Sequence, residues 1–365
     1  MDRLIDLLED RGLDAILLYS DGEHSIARPS ALEYFCGVTP LANRNCAIVT
    51  PEGSCTFLVD LPRDVDRIAR HTGIEDVRGT NAFVSELVAV VRELEVDTAL
   101  GLVGIDRMDQ AVYQAIEETV EQVHSLDEPV DALAAVKTDA DLETFHELGR
   151  LADVGFTAAY DALSPGIKEY ELSAEIEYAM RAAGSEDNFN LLSSGSHNQL
   201  MHGPTERVIR AGDTVLFEIS PVIDGLVLQI CRTISVGTPD RTLVEKFSLL
   251  KEAMANTKSM LRAGAPAKVI AERMNAVFRD AGYAEYCEPP YMRTRGHEFG
   301  IGPIGMAIDE GTDTELREGM VLVVHPNQYV PETGYLSLGD PIEITADGFE
   351  TLVDTPARLF TKEVL

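Results

Sequence analysis

Four glycine-containing segments in the C-terminal two thirds of the chain constrain its fold most, because they alternate strand-forming runs with turn residues. They are GDTVLFEISPVIDGLVLQICRTISVG (212–237), RGHEFGIG (295–302), GMVLVVHP (319–326) and GYLSLGDPIEITADG (334–348). Short apolar and β-branched runs bounded by glycine, aspartate or proline predict strands, here near 214–219 and 226–235 with a turn at Asp224-Gly225. The segment that follows, up to about residue 355, is predicted to be rich in strands.

Helical patterns separate these strands. Apolar residues at steps of three and four predict a long helix that Asp139 or Asp141 can cap and that Pro165-Gly166 ends. A second helix is predicted over 170–183, closed by Gly184, and two more over about 241–262 and 266–281. Two helix–helix–strand blocks in succession outline an internal duplication.

The first part of the chain alternates short apolar runs with helical stretches. A helix over 2–11, a buried strand at AILLYS (15–20) and a hairpin made of CAIVT and CTFLVD begin this pattern, which continues to about residue 130. Such a pattern predicts a mixed sheet covered by helices. A length of 365 residues suits two domains, and we place the boundary between 130 and 131.

The charge balance excludes some functions. There are 62 acidic and 30 basic residues, which give a formal net charge of −32. A field of that sign repels phosphate backbones and anionic lipid, so we expect no nucleic-acid partner and no membrane partner. An acidic surface with no tryptophan also suits a halophilic protein in a salt-rich cytoplasm. The start of the chain has no signal-peptide pattern, and five cysteines without CxxC spacing predict neither a disulfide framework nor a thiolate zinc site.

The four segments resemble, in order and rough spacing, the metal-binding segments of the creatinase/aminopeptidase P/prolidase family, peptidase family M24. The resemblance extends to AAVKTDADLETF, SPGIKEYEL and GSHNQLMHGPTERVIRAGDTVLFE, so that it covers essentially the whole chain. It implies an α/β (α+β) fold with a pita-bread catalytic domain at 131–365, preceded by a smaller mixed α/β creatinase-type N-terminal domain at 1–130. Family members commonly pair, which implies a homodimer.

The resemblance also shows which metal ligands this chain has kept. In the metallopeptidases of the family the ligands are, in chain order, Asp, Asp, His, Glu and Glu. The matching positions here are Glu218, Gln229, His297, His325 and Gly339, of which only the first histidine is unchanged. Two metal ions need several bridging and terminal oxygen ligands, and of the family's four carboxylates three are replaced here, at Gln229, His325 and Gly339, while the fourth is lengthened at Glu218. We therefore expect no metal cofactor. The alternative is a single divalent metal such as Mn or Zn, held by one carboxylate and two imidazoles.

The creatinase branch of the family works without metal and uses a histidine that precedes the first strand of the site. His202, in LMHGP, matches that histidine. An imidazole can act first as base and then as acid, because its ordinary pKa lies close to neutral pH. The predicted catalytic residues are thus His202, Glu218, His297 and His325.

A second set of residues is predicted to bind the substrate. It comprises Gln229, Cys231, Arg232, Arg293 and Asp340. Either arginine can hold a carboxylate by a bidentate contact, or lie in a structural salt bridge. Asp340 can orient a histidine or pair with Arg232, and Cys231 is either an activated thiol or an inert buried one.

Creatine itself is disfavoured as a substrate. Creatinase binds its guanidinium group with carboxylates, and the positions that match two of them are Cys231 and His325. Our preferred hypothesis is a metal-independent hydrolase that cleaves a C–N bond in a small amide- or amidine-type molecule. The alternatives are an Xaa-Pro aminopeptidase or dipeptidase with an altered, mononuclear metal site, and a homologue that binds a small molecule without catalysis.

Overall fold

The computed structural model describes residues 1–22, 30–301 and 305–364. The chain divides into two compact units, residues 1–134 and residues 135–365. The assignment of functional domains to 1–130 and 131–365 stays a prediction. Each unit is built around sheets covered by helices, as the sequence pattern predicts.

The first unit contains one six-stranded mixed sheet. Its strands are β1 (Ala15–Ser20), β2 (Asn45–Val49), β3 (Cys55–Val59), β4 (Asp76–Gly79), β5 (Ala99–Val103) and β6 (Gln122–Ser125), in the spatial order β4-β3-β2-β1-β5-β6. The predicted hairpin is the antiparallel pair β2–β3, whereas β1 and β5 are parallel. The helices are α1 (Asp2–Arg11), α2 (Ala31–Cys36), α3 (Val65–Thr72), α4 (Phe83–Glu93), α5 (Gln110–Glu117) and α6 (Asp127–Ala135).

Among its described residues, the second unit has four long helices, in two pairs that each precede a set of strands. They are α7 (Asp139–Ala162), α8 (Glu169–Ala182), α9 (Arg241–Thr257) and α10 (Ala267–Asp280). Short 3₁₀ turns lie at Pro62–Asp64 and Ile105–Arg107 in the first unit, and at Lys258–Met260 and Ala284–Cys287 in the second. None of the described helices is long and apolar enough to cross a membrane.

The cap of α7 differs from the sequence prediction. The N-cap is Thr138, whose hydroxyl accepts from the Asp141 N–H, while the Asp141 carboxylate accepts from the Thr138 N–H. This reciprocal pair is a capping box. Asp141 therefore helps to begin the helix from its third position, and the residue that caps the helix precedes both aspartates.

The strands of the second unit form two sheets and a hairpin. They are β7 (Asp187–Gly195), β8 (Thr214–Ile223), β9 (Leu226–Val227), β10 (Ile230–Val236), β11 (Gly296–Glu298), β12 (Val321–Val324), β13 (Gln328–Val330), β14 (Gly334–Leu336), β15 (Asp340–Ile344), β16 (Phe349–Thr351) and β17 (Leu359–Lys362). One sheet has the order β17-β10-β8-β7 with β9 beside β8, and the other has the order β11-β12-β15-β16. The strands β13 and β14 pair with each other.

The turn after β8 sets the register that matters for the site. Asp224 and Gly225 both have positive φ, 50° and 71°, which glycine adopts freely and aspartate tolerates. The turn returns the chain antiparallel to β8, so that Cys231 faces Glu218 across the strand pair.

A tight contact between α7 and the C-terminal segment gives the first prediction. A Cβ atom at Gly149 would lie 1.7 Å from the carbonyl oxygen of Leu352. Gly149→Ala should therefore destabilise the protein by about 1–3 kcal/mol, although alanine is normally the better helix former. Urea denaturation measures the change, with Glu143→Ala on the exposed face of α7 as the control. An unchanged or higher midpoint for Gly149→Ala would contradict the close packing.

Candidate functional site

Strand pairing aligns three of the predicted positions in a row. Glu218 on β8 lies opposite Cys231 on β10, and Cys231 forms an isolated bridge with Gly339. The Cys231 and Gly339 main chains exchange two hydrogen bonds, of 3.1 and 3.0 Å. A Cβ placed on Gly339 would lie 2.9 Å from the Cβ of His325, so this histidine stands at the end of the row.

Both imidazoles come from the sheet that contains β11 and β12. His297 lies on β11 opposite Val323 of β12, and His325 follows β12 directly. The His325 N–H donates to the Arg295 carbonyl oxygen at 3.0 Å, which holds the two segments together. The ring centroids of His297 and His325 are 5.6 Å apart with an interplanar angle of 67°. We call Glu218, Gln229, Cys231, His297 and His325 the central cluster.

Glu218 is held by neutral donors. The Gln229 amide donates to its Oε1, and the Cys231 thiol donates to the same oxygen at 3.7 Å. Burial raises the pKa of Glu218 to about 7, because a charged carboxylate loses its hydration there, while the thiol's hydrogen bond opposes the shift. The carboxyl group therefore exchanges its proton near neutral pH in the metal-free protein.

Both central imidazoles are buried and neutral. Burial lowers the pKa of His297 to about 4, and a hydrogen bond of its Nδ1 with the Glu298 carbonyl oxygen opposes the shift. Burial, together with the nearby His297, lowers the pKa of His325 to about 3. The Nδ1 atom of His325 is buried and has no hydrogen-bond partner among the described residues. A neutral imidazole is the form that can bind a metal.

Two neighbours of the cluster escaped the sequence analysis. Asn327 contributes a side-chain hydrogen bond to both Cys231 and Tyr335, and its Oδ1 accepts from the Leu338 N–H at 2.8 Å. The pKa of the Tyr335 hydroxyl is raised, first by burial and then by the nearby Glu218 and Cys231. Both residues belong to the segment around the β13–β14 hairpin, and nothing in their local pattern marks them as site residues.

Arg295 holds this segment in place through hydrogen bonds to Asn327 and Gln328. Its guanidinium donates to the Asn275 side chain at 2.6 Å, to the Asn327 carbonyl oxygen at 2.8 Å and to the Gln328 side chain at 2.7 Å. It also lies over the Phe278 ring, 4.6 Å from the centroid. Burial lowers the pKa of Arg295 to about 10. Its contacts are with the protein's own neutral groups, and it positions the residues that follow His325.

Arg232 and Asp340 pair with each other. The fully buried Arg232 donates to the carbonyl oxygens of Cys231 at 2.9 Å and Gly339 at 2.7 Å, and to Asp340 at 2.7 Å. Thr355 supplies a further carbonyl acceptor at 2.5 Å. These contacts favour a structural salt bridge, which was one of the two alternatives that the sequence left open. Substrate binding by Arg232 and Asp340 stays a prediction, and their contacts do not support it.

His202 and Arg293 lie outside the buried cluster. The half-buried His202 hydrogen-bonds through Nδ1 to the Gly203 carbonyl oxygen at 2.8 Å, and its N–H donates to Ser193 at 2.9 Å. Its carbonyl oxygen accepts from Leu192, the neighbour of the β7 residue that faces Glu218. Arg293 is exposed and has no hydrogen bond or ion pair with a described residue. Both side chains keep donors that a ligand could use.

Comparison with known proteins identifies similar sequences over the full length. Residues 143–346 match the model of metallopeptidase family M24, and residues 1–136 match the creatinase/prolidase N-terminal domain. The chain is 23% identical over 361 residues to the Xaa-Pro dipeptidase of Pyrococcus horikoshii, covering 98% of this chain and 97% of that protein. It is 29% identical over 245 residues to a putative dipeptidase of Bacillus subtilis, covering 65% and 66% of the two chains.

Solved structures agree in fold. The Xaa-Pro dipeptidase from Bacillus anthracis superposes with a TM-score of 0.85 and 25% identity, over 99% of this chain and 98% of that one. The X-Pro aminopeptidase from Thermotoga maritima has a TM-score of 0.87 and 23% identity, over 99% of each chain. The predicted two-domain pita-bread architecture is thereby confirmed. These relatives favour the Xaa-Pro peptidase interpretation over the creatinase-like, metal-independent one.

The prediction that the protein needs no cofactor is wrong, because most of the second unit matches a metallopeptidase family. The sequence argument counted lost carboxylates for a pair of ions and gave too little weight to the donors that remain. Glu218, His297 and His325 still offer one carboxylate and two neutral imidazoles, which are donor types that one transition metal accepts.

The residues present do not fit two cations. The Gln229 amide group is engaged as a donor to Glu218, and Gly339 has no side chain. The space that a side chain at 339 would need is filled by the Cys231 thiol and His325, which lie 3.0 and 2.9 Å from a Cβ at that position. The central cluster therefore contains one carboxylate, which is fewer anionic ligands than two divalent cations require.

One cation fits the donor chemistry of Glu218, His297 and His325, although the ligand atoms of these three side chains are too far apart to bind it as they stand. Within the described ranges, one group of three histidine, cysteine, aspartate or glutamate side chains has ligand atoms that all lie within 4.8 Å of one another. It is His146, Glu343 and Glu350, at the surface of the second unit. Glu218, His297 and His325 do not meet that limit. To hold one ion, these three side chains would have to change their torsions.

The filled space beside Gly339 gives a testable consequence. Gly339→Ala should lower the free energy of unfolding by about 1–3 kcal/mol, because a new methyl group meets His325 and Cys231. Gly203→Ala is the matched control, since a Cβ there has no atom within 4 Å. Equal urea midpoints for the two variants would show that the space beside Gly339 is open.

The buried imidazoles predict a pH dependence of stability. The folded-state pKa of His325, about 3, lies below the ordinary value of 6.5, so the unfolded chain binds the proton more readily and stability falls as pH drops below 6.5. Between pH 7 and pH 5 this loss is about 2 kcal/mol for one such histidine. Chelator-treated His325→Gln should lose about 2 kcal/mol less over that interval than the parent protein.

Urea denaturation at the two pH values measures this difference. His71→Gln, at an exposed position on α3, is the control and should keep the parent's pH dependence. If His325→Gln and the parent lose the same stability on acidification, the buried, neutral state of His325 is wrong.

Proposed function

The chain belongs to metallopeptidase family M24, and we propose that it hydrolyses small Xaa-Pro peptides at the central cluster with one divalent cation. The observation that carries the proposal is the position of Glu218, His297 and His325. They occupy three of the five places at which the resemblance to the family implies metal ligands, and the rings of His297 and His325 lie 5.6 Å apart. The names of the full-length relatives support the substrate class.

The cation would be held by the two imidazoles with Glu218 as the third ligand. When bound, it would polarise the peptide carbonyl group and lower the pKa of a water molecule. The neutral state of His297 and His325 leaves ring nitrogens available without loss of a proton. A positive ion beside Glu218 favours its charged form and opposes the burial that raises its pKa.

Cys231 and Gln229 orient the carboxylate. Both donate to the same oxygen of Glu218, and no described residue donates to the second oxygen. The thiol is itself inert at neutral pH, because burial and the neighbouring Glu218 raise the pKa of Cys231 far above its ordinary value. Cys231 thus acts as a hydrogen-bond donor, and we do not assign it a nucleophilic role.

His202 and Arg293 complete the proposed site. The Nε2 atom of His202 has no partner among the described residues, while Nδ1 is fixed on the Gly203 carbonyl oxygen. This arrangement leaves Nε2 to move a proton to or from the peptide nitrogen. Arg293 would hold the terminal carboxylate of the peptide by a bidentate contact.

Three further predictions remain proposals. We propose that the protein acts in a salt-rich cytoplasm, for which its acidic composition is suited. We also propose a homodimer, by analogy with the family. Neither nucleic acid nor a membrane is proposed as a partner, in keeping with the net charge of −32.

A hydrolysis assay tests the proposed function. Protein stripped by chelator and reloaded with Mn²⁺, Zn²⁺ or Co²⁺ should release proline from Xaa-Pro dipeptides, and His325→Ala should lower kcat/KM by about a hundredfold or more, since a lost ligand removes several kcal/mol of stabilisation. His71→Ala, on the surface of the first unit, should retain activity. Hydrolysis that survives both chelation and His325→Ala, or no hydrolysis under any loading, would contradict the proposal.

A further inference from the structure

Three tyrosines beside the central cluster form a partly exposed aromatic surface. Tyr291 and Tyr329 stack with ring centroids 5.3 Å apart, and Tyr286 meets them at 4.8 and 5.6 Å. Tyr291 is 42% exposed, and the other two are partly buried. We call Tyr286, Tyr291 and Tyr329 the tyrosine cluster.

The tyrosine cluster adjoins the central cluster through the β13–β14 hairpin. Tyr329 on β13 lies directly opposite Tyr335 on β14, and residues opposite each other in an antiparallel pair point to the same face. Tyr335 in turn shares the Asn327 side chain with Cys231 as a hydrogen-bond partner, and the Cys231 thiol donates to Glu218. The aromatic surface is therefore next to the residues that we assign to hydrolysis.

The carboxylate of Glu285 favours a positive ligand at Tyr286, although the exposed Arg293 follows Tyr291 by two residues. The Tyr286 hydroxyl donates to the Glu285 carboxylate, which raises the pKa of Tyr286 to about 12 and keeps its proton in place. A hydroxyl that donates to an anion makes its ring a better acceptor for a cation. The neighbouring Tyr283 already has a cation, because Lys246 lies 5.2 Å from its centroid. Within the described ranges no lysine or arginine lies over Tyr286, Tyr291 or Tyr329.

We propose that the tyrosine cluster is a binding subsite for the ammonium group of the substrate. Ammonium and quaternary ammonium ions bind over the faces of tyrosine rings, where the ring quadrupole attracts them. The inference rests on the proposed function in one respect: the ammonium group is the free N-terminus of the peptide that the central cluster hydrolyses. The subsite itself does not depend on catalysis, and it can be tested by binding alone.

A binding experiment uses tetramethylammonium as the probe. The chain has 11 tyrosines and no tryptophan, so its fluorescence near 300 nm reports tyrosine directly. The parent protein and Tyr291→Phe should show a saturable change with tetramethylammonium chloride, because both keep the ring. Tyr291→Leu should weaken binding by about two- to thirty-fold, the range of one cation–π contact. Tyr178→Leu, at a position that is 73% exposed on α8, should bind like the parent.

The neutral analogue neopentyl alcohol, which has a similar size, separates charge from shape. It should give no saturable change at concentrations at which tetramethylammonium saturates the parent protein. Equal binding of the alcohol would overturn the proposal, and so would equal tetramethylammonium binding by Tyr291→Leu and the parent. A loss of binding in Tyr178→Leu would also overturn it, because the response would then come from elsewhere.

A kinetic experiment links the subsite to the substrate. For a peptide with a free N-terminus, Tyr291→Leu should raise KM by about two- to thirty-fold with little change in kcat, and Tyr291→Phe should restore the parent value. For the N-acetylated peptide the two variants should not differ. If no peptide is hydrolysed but tetramethylammonium binds as described, the proposed function fails and the subsite stands. If hydrolysis is normal and the probe does not bind, the subsite alone fails.

Discussion

The chemistry of the central cluster depends on the burial of polar groups that lack a full set of counter-charges. Glu218 is surrounded by an amide and a thiol, and His297 and His325 face each other without a carboxylate hydrogen-bonded to either ring among the described residues. Burial then sets the protonation states, with the carboxyl group near its midpoint at neutral pH and both imidazoles neutral. Such a cluster has donors for one cation and too little negative charge for two.

Strand pairing brings these groups together. The register of β8 and β10 puts Cys231 beside Glu218, and the bridge to Gly339 brings in the segment after the hairpin. The main chain at Gly339 packs closely against both neighbours, because a Cβ there would lie 2.9 Å from the Cβ of His325 and 3.0 Å from the thiol of Cys231. This close packing leaves no room for a side chain at 339 in the arrangement that the structure shows.

Much of the fold could be predicted from the sequence, because strand runs, glycine turns and helix caps are local signals. The long helix α7 and the turn at Asp224-Gly225 both follow the pattern, and the error at the cap arose because Thr138 and Asp141 act as a reciprocal pair. The resemblance to a family located Glu218, His297 and His325. Asn327 and Tyr335 could not be found in this way, since their role follows from how the hairpin folds back on the strands.

Anomalous diffraction from crystals loaded with Zn²⁺ tests the central claim most directly. Data collected on both sides of the zinc edge should show one peak per chain, within bonding distance of His297, His325 and Glu218. Two neighbouring peaks of comparable occupancy between the strands would contradict the account, because the buried donors would then hold a pair of cations after all. A cluster with no peak at all would contradict it equally.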